Sequence, residues 1–525
     1  MNSNRDREQG YRSALRDIRK LLSLRRADEA AAASTVLVES FSDSIEPLLL
    51  LGKARQQQGR FDEMLALARD ALTRDESHRG ARLQFAEACI FCGEHGLACA
   101  QLLSLEKDAA DDPVLLQHVA GFFAHSGKHE DAHRCYSRAA ELAPKDAATL
   151  YNLGSSCIAI GELDEAEQLF SQVIELNPGD HDAWQNRSTL RQQSDDDNHV
   201  AAIKTRLESL AVNDPGIVPL SYALAKELED LGEYGASFAA LSQGAAARRR
   251  RMAYDVRSDV TAMDKICTLF DSRYAEQSPS TVQRTGPIFV MGLPRSGTTL
   301  VDRIISSHSQ VESMGEINDF ALALTRLGKA ADKAALLQAS VNINPEQLGA
   351  AYVNSVGNYG NSRPYFVDKT PANFLYLGLI ARALPGVPVL HVRRHPADSC
   401  LAMYRTLFRM GYPYSYDLDD LADYYIAYDR LMRHWHSVFP GIVLDVSYEE
   451  LVDQQEVVTR RILKHCNLAF EPACLQFEKN RSPVATASAA QVRRPIYRDA
   501  LARWRRYEQQ LEPLLCRLKD AGIAL

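Results

Sequence analysis

A chain of 525 residues is too long for one hydrophobic core, so two or more domains are expected. With 46% hydrophobic and 24% charged residues it is neither disordered nor fibrous, and a formal net charge of -8 argues against a general nucleic-acid binder. Any anion site has to be a local basic pocket in an acidic protein. The ten cysteines follow no framework spacing, which predicts free thiols, and Cys89 and Cys92 form a CxxC with no second Cys or His pair at finger spacing.

The opening residues lack the apolar core of a signal peptide, and no run of about 18 apolar residues occurs, so a cytoplasmic protein with no membrane contact is expected. The first half is periodic. Gly59, Gly93, Gly127 and Gly161 recur every 34 residues, as do Gly52, Ala86, Ala120 and Gly154, and Met64, Ala98, Ala132 and Ala166. Pro144 and Pro178 close two units, and Tyr136 and Phe170 share a phase. Two amphipathic helices per unit cannot bury their faces alone, and small residues at fixed positions let neighbouring helices pack closely. Units are predicted from about residues 45, 79, 113 and 147, with a degenerate one before them near Ala27 to Ala30 and another around Leu220 to Leu241. Trp184 restarts the phase and the polar stretch Gln192 to Asn198 interrupts it.

This pattern resembles the tetratricopeptide repeat. The resemblance implies a surface for a peptide or protein partner; the alternatives are a homodimer contact or a scaffold for the second domain. Arg248 to Arg251 read as a solvated helical face near the domain junction.

From Arg284 the pattern turns to α/β, which divides the chain into a repeat domain over 1–255, a helical linker over 256–283 and a second domain over 284–525. The apolar run Ile288 to Met291 reads as a buried strand that breaks at Gly292 into GLPRSGTT and continues as a helix. Glycines let the backbone approach an anion closely, and the helix start offers unpaired N–H groups. The string is a phosphate loop in which the usual Lys is Thr298. A triphosphate needs that cation and a metal, so the loss of the Lys disfavours phosphoryl transfer and calls for no metal.

A helical stretch over Phe320 to Leu348, strands at Tyr365 to Val367, Val387 to Val392 and Ile442 to Val446, and terminal helices follow. Short apolar strands alternating with helices predict a doubly wound parallel sheet with ligands at the strands' carboxyl ends. The ordered segments PRSGTTL, GE, DKTP, HVRRHPAD, YEEL and TASAAQVRRPIY resemble the sulfotransferases that use 3′-phosphoadenosine-5′-phosphosulfate, in the branch of the tyrosylprotein enzymes.

The resemblance implies that Ser296, Gly297, Thr298 and Thr299 hold the 5′-phosphosulfate and that Arg295 serves the sulfuryl group. Glu316 is implied as the base for the acceptor hydroxyl, ahead of His308, with Glu312 and Asp319 as solvated neighbours. Lys369 is implied to stabilise the bridging oxygen, and Ser488 to touch the sulfuryl site. Arg394 is implied to bind the 3′-phosphate, Arg494 to add charge there, and Tyr448 to meet the adenine. The family's Ser eight residues after that Arg is Ala402 here, a departure that removes one hydrogen bond, worth roughly 1.5 to 3 kcal/mol to a charged group. The expected partner is a hydroxyl acceptor, either a protein or peptide side chain delivered by the repeats or a saccharide or small molecule. A kinase-like hydrolase is disfavoured by Thr298, and a non-enzymatic adaptor with a decayed transferase domain is the remaining alternative.

Overall fold

A computed structural model describes residues 2–281, 286–330, 332–359, 363–408, 411–484 and 491–525. Helices fill the first half of the chain, and a five-stranded sheet organises the second. No described helix is long and apolar enough to cross a membrane.

The 34-residue period appears as four helix pairs. They are Glu46–Gln57 with Phe61–Arg74, Arg79–Phe91 with His95–Asp108, Pro113–His125 with His129–Leu142, and Ala147–Ile160 with Leu163–Leu176. Capping explains the phase. His78, Asp112, Asp146 and Asp180 stand at one repeat position, and each side chain accepts from the amide three residues on, satisfying a donor the helix start leaves open. The first helix of each pair ends on a left-handed glycine, with φ of 71° at Gly59 and 99° at Gly161, and the next amide closes back, Arg60 N to Arg55 O at 2.9 Å and Glu162 N to Cys157 O at 2.9 Å. Met64, Ala98, Ala132 and Ala166 are fully buried where the helices touch. Cys89 and Cys92 are also buried, and burial pushes both thiols up to about 12, where they pack as small apolar groups.

The described chain forms two compact units, Met1–Leu142 with Asn318–Asn361, and Ala143–Ile317 with Ser362–Leu525. The second contains the sheet: β1 (Pro287–Gly292), β2 (Val311–Ser313), β3 (Tyr365–Asp368), β4 (Val389–Arg393) and β5 (Val443–Ser447), all parallel in the order β2-β3-β1-β4-β5. β1 is buried along its whole length, which is why it reads as a continuous apolar run. One face packs Ile288, Val290, Val367, Leu390 and Val392 against Ile304 and Ile305 of the helix Thr298–Ser306. β2 is only three residues long and is not legible in the sequence as a strand.

The arginine run is solvated at Arg250 and Arg251, as the sequence suggests, but not at Arg248 and Arg249. Arg249 Nε donates to Asp420 Oδ2 at 2.7 Å, and the Arg248 guanidinium lies 5.8 Å from the Tyr416 ring centre. These two cations are spent on packing the degenerate unit, Ile217–Asp230 with Tyr234–Arg249, against the helix Leu418–Val438 and the turn before it.

In the first unit, residues 318–361 contribute the helices Asp319–Gly328, Lys333–Ser340 and Pro345–Gly357, which join the repeats at their inner turns. Asp319 is the hub. Its carboxylate takes the His95 ring nitrogen at 2.9 Å, the Tyr359 hydroxyl at 3.0 Å and the Ser355 hydroxyl, while Tyr359 stacks on His95 with ring centres 3.7 Å apart. Asn358 Nδ2 reaches Gly93 O at 2.7 Å, and Arg326 reaches Cys92 O at 2.8 Å and Asp62 at 2.7 Å. Asp319 is therefore a buried anchor, not the solvated neighbour of Glu316 that the sequence suggested. Replacing Asp319 with Ala strands these donors, each worth about 1 to 3 kcal/mol when left buried and unpaired. Hydrogen exchange is expected to accelerate over residues 345–357 and around His95 while the strands keep their protection; unchanged exchange there would refute the anchor.

Candidate active site at the carboxyl edge of the sheet

Because all five strands run the same way, the segments that follow them meet at one edge. After β1 the backbone turns through three left-handed residues, Gly292 at φ 150°, Arg295 at 67° and Gly297 at 107°, before the helix starts at Thr298. A Cβ on Gly292 would stand 2.5 Å from Val392 O, and one on Gly297 would stand 2.5 Å from the Tyr448 ring, so only glycine fits at either end of the loop. The loop thus lies close against the ends of β4 and β5. The Ser296 hydroxyl is buried and has no hydrogen-bond partner among the described residues, an orphan that a bound anion would satisfy.

Glu316, in the turn after β2, and Lys369, directly after β3, come together at the ends of two paired strands. Lys369 follows β3 directly, its amide donating to Gly315 O at 2.9 Å, and the Thr370 hydroxyl donates to Ile317 O at 2.7 Å. These bonds hold the Gly315–Ile317 turn against the strand end, and Lys369 Nζ donates to Glu316 Oε1 at 2.5 Å. The lysine side chain is 1% exposed and the glutamate 44%, so a buried ammonium meets a carboxylate that opens to solvent. Glu312 stands on β2. His308 is buried, with Nε2 against Ala469 O at 3.0 Å.

Arg295 NH2 donates to Gln491 Oε1 at 2.9 Å, and burial, with Arg394 nearby, pushes its guanidinium down to about 10. Arg394, at the end of β4, donates to Arg295 O at 3.3 Å and Ala500 O at 2.5 Å and lies 5.0 Å from the Tyr448 ring centre, with its buried Nε unpartnered among the described residues. The loop residues 295–299, Arg394 and Tyr448 are therefore one cluster. The chain after Ala500 closes over it: Trp504 N donates to Asp398 Oδ1 at 2.9 Å, and the Trp504 ring stacks on His395 with centres 5.4 Å apart. A cavity of about 500 Å³ opens beside Arg393, Arg394, Ser447 and Arg461, a volume in the range of small-molecule sites.

Two assignments fall differently. Ser488 lies outside the described residues. Arg494 is exposed, while its neighbour Arg493 turns away to donate to Ala159 O at 3.2 Å, the carbonyl that also takes Val484 N at 2.8 Å. Ala402 supplies no hydroxyl, and Ser399 donates to Arg394 O at 3.4 Å. Residues not anticipated from the sequence are Gln491 on Arg295, Trp504 over His395, and Asp302 and Arg303 in the loop helix. Arg303 is buried, donates to Asn480 Oδ1 at 3.0 Å and also to Ser482 O, and burial pushes it down to about 10. The one available signal was two charged residues set between the apolar Val301 and Ile304 of the loop helix.

His391, His436 and Asp445 bring a ligand-type atom each within 4.8 Å of one another. All three are engaged already: Asp445 Oδ1 meets His391 Nδ1 at 2.7 Å and His436 Nε2 at 3.2 Å, Asp445 Oδ2 meets Arg393 at 3.4 Å, and His391 Nε2 meets the Tyr428 hydroxyl. Asp445 is thus the hub of a hydrogen-bonded network that also takes the Arg393 cation. Burial alone would raise the Asp445 carboxyl; the His391 hydrogen bond and the His436 and Arg393 charges outweigh it and hold Asp445 down at about 2. A carboxylate depressed in the folded state stabilises it above the unfolded value, near pH 4, and that stabilisation is lost as pH falls through about 2. Asp445→Asn is expected to lose less stability than wild type between about pH 4 and about pH 2 in urea melts; parallel curves would contradict this.

Residues 287–472 match the sulfotransferase family, and residues 123–193 match the tetratricopeptide repeat. An uncharacterized protein of Aquifex aeolicus (strain VF5) is 31% identical over 393 residues, covering 72% of this chain and 51% of that protein, so the chain spans about half the length of this relative. A putative protein-tyrosine sulfotransferase of Caenorhabditis briggsae is 25% identical over 226 residues, covering 41% of this chain and 80% of that protein. Protein-tyrosine sulfotransferase 1 of Danio rerio is 22% identical over 233 residues, covering 41% and 65%. The parallel sheet, its glycine loop and these matches together make residues 287–472 a sulfotransferase-family domain, in a chain that also carries tetratricopeptide repeats.

Proposed function

We propose that the chain transfers a sulfuryl group from 3′-phosphoadenosine-5′-phosphosulfate to a hydroxyl acceptor. The observation that carries this reading is the Glu316–Lys369 pair beside a phosphate-type loop that has Thr298 where a triphosphate loop has Lys. A buried ammonium bonded to an open carboxylate is what an in-line transfer needs: one group to take the hydroxyl proton and one to steady the leaving oxygen.

The donor fits the residues present. The orphaned Ser296 hydroxyl and the first helical amides face the place where an anion would lie, and Thr298 and Thr299 add hydroxyls. Tyr448 offers a ring face beside Gly297 for the base, and Arg394 and the exposed Arg494 supply charge toward the 3′-phosphate. In the step, the acceptor O–H proton passes to Glu316 while the acceptor oxygen bonds to sulfur. The bond from sulfur to the bridging oxygen breaks, and its electron pair leaves on the 5′-phosphate of the bisphosphate product. Lys369 and Arg295 meet the charge that develops on the bridging and sulfuryl oxygens. The acceptor is a protein or peptide hydroxyl brought by the repeats, a reading supported by the repeat match and by the protein-tyrosine sulfotransferases among the relatives.

Incubating the protein with sulfur-labelled donor and cell lysate is expected to label a hydroxyl-bearing product, and adenosine 3′,5′-bisphosphate is expected to raise the melting temperature. Glu316→Gln should reduce turnover by about 10²- to 10⁴-fold while leaving the bisphosphate shift intact. No label and no shift with wild-type protein would sink the proposal, and full activity in Glu316→Gln would remove the base.

A further inference from the structure

The loop helix buries a carboxylate that the scheme above does not use. Asp302 is 4% exposed, on a helix whose described side chains are buried nearly all round. Its Oδ2 accepts from the Ser313 hydroxyl at 2.9 Å, and its Oδ1 is buried with no hydrogen-bond partner among the described residues. Ser313 Oγ in turn accepts from Gly315 N at 3.2 Å, and Gly315 O accepts from Lys369 N at 2.9 Å. One chain of hydrogen bonds therefore runs from Asp302 through β2 to the turn that carries Glu316 and to the backbone of Lys369. Ser313 pairs with Val367, which places this chain directly beside the end of β3.

Two carboxylates, one open and one closed, thus stand on the hydrogen-bonded frame that carries the buried ammonium. When the open one, Glu316, takes up the acceptor's proton it no longer balances Lys369, and a buried cation without a counter-charge tends to lose its proton. Lys369 would then fail as a cation at the moment charge develops on the leaving oxygen. Other charges face this group as well: Arg303 beside Asp302 on the same helix, and Tyr412, whose hydroxyl feels Glu316. Burial raises the Asp302 carboxyl, and the Lys369 charge acts against that rise.

We propose that Asp302 is a positioning residue for the transfer: through Ser313 it fixes the turn that bears Glu316, and it adds a buried negative charge that favours the ammonium form of Lys369 while Glu316 carries the acceptor's proton. This inference rests on the sulfuryl-transfer reading for its kinetic consequence but not for its electrostatic one.

Two variants of the full chain separate the roles. Asp302→Asn keeps an oxygen for Ser313 and removes the charge; Ser313→Ala keeps the charge and loosens the turn. With labelled donor and a tyrosine-containing peptide, Asp302→Asn is expected to lower kcat by about 10- to 100-fold, to change KM for the donor by less than about twofold, and to move the alkaline limb of the kcat profile to lower pH. Ser313→Ala is expected to lower kcat without moving that limb, and it decides the positional role if Asp302→Asn does not fold. In parallel, acetylation of Lys369 by acetic anhydride, read by peptide mass spectrometry, should quicken by about threefold or more in Asp302→Asn at pH 8, since a larger share of the amine is then unprotonated. Superimposable pH profiles with equal acetylation rates overturn the electrostatic role, and unchanged kcat in Ser313→Ala overturns the positional role. Wild-type protein that transfers no label defeats the sulfuryl-transfer reading, and the acetylation arm still decides whether Asp302 favours the ammonium form of Lys369.

Discussion

A lysine ammonium almost wholly removed from water is tolerable only beside negative charge, and the second unit is built to supply it. Lys369 sits at the end of β3, an inner strand, and its partner Glu316 comes from a turn 53 residues earlier in the chain. To bring them together the structure uses a parallel sheet, a three-residue strand at its edge, and backbone bonds from Lys369 and Thr370 to Gly315 and Ile317. The buried pair is therefore a consequence of sheet order as much as of motif.

The same edge explains the glycine loop. Five parallel strands deliver five carboxyl ends to one side, and a backbone that must pass against Val392 O and the Tyr448 ring has no room for a Cβ at Gly292 or Gly297. Arg394 then ties three segments together, touching Arg295 O, Ala500 O and the Tyr448 ring. Its guanidinium is partly committed to backbone carbonyls, which makes it an organiser of the cluster as well as a charge within it.

The repeats do more than repeat. In the first unit their inner turns hold the helices that follow Glu316 in sequence, through Asp319 and His95. In the second, the turn at Ala159 to Gly161 holds Val484 and Arg493, and the short turn Gln491–Arg493 brings Gln491 to Arg295. Residues of the sulfotransferase-family domain thus take structural support from helices that lie outside the part of the sequence carrying its motifs.

The sequence by itself determined whatever depends on neighbours along the chain. The 34-residue period was legible because caps such as Asp112 and Asp146 and turn glycines such as Gly93 act within one unit, and β1 was legible because a strand buried on both faces is a run of apolar residues. Arg295, Thr298, Lys369, Arg394 and Tyr448 were each marked by a strand ending in a polar motif. Only the tertiary structure decided who meets whom. Three residues of β2 carry too little pattern to announce a strand, and without that strand Asp302 reads as one more solvated acid on a helix. The arginines at 248 and 249 and the carboxylate of Asp319 look surface-bound in sequence for the same reason. A charge is buried or exposed according to what packs over it, and that covering surface comes from residues far away in the chain.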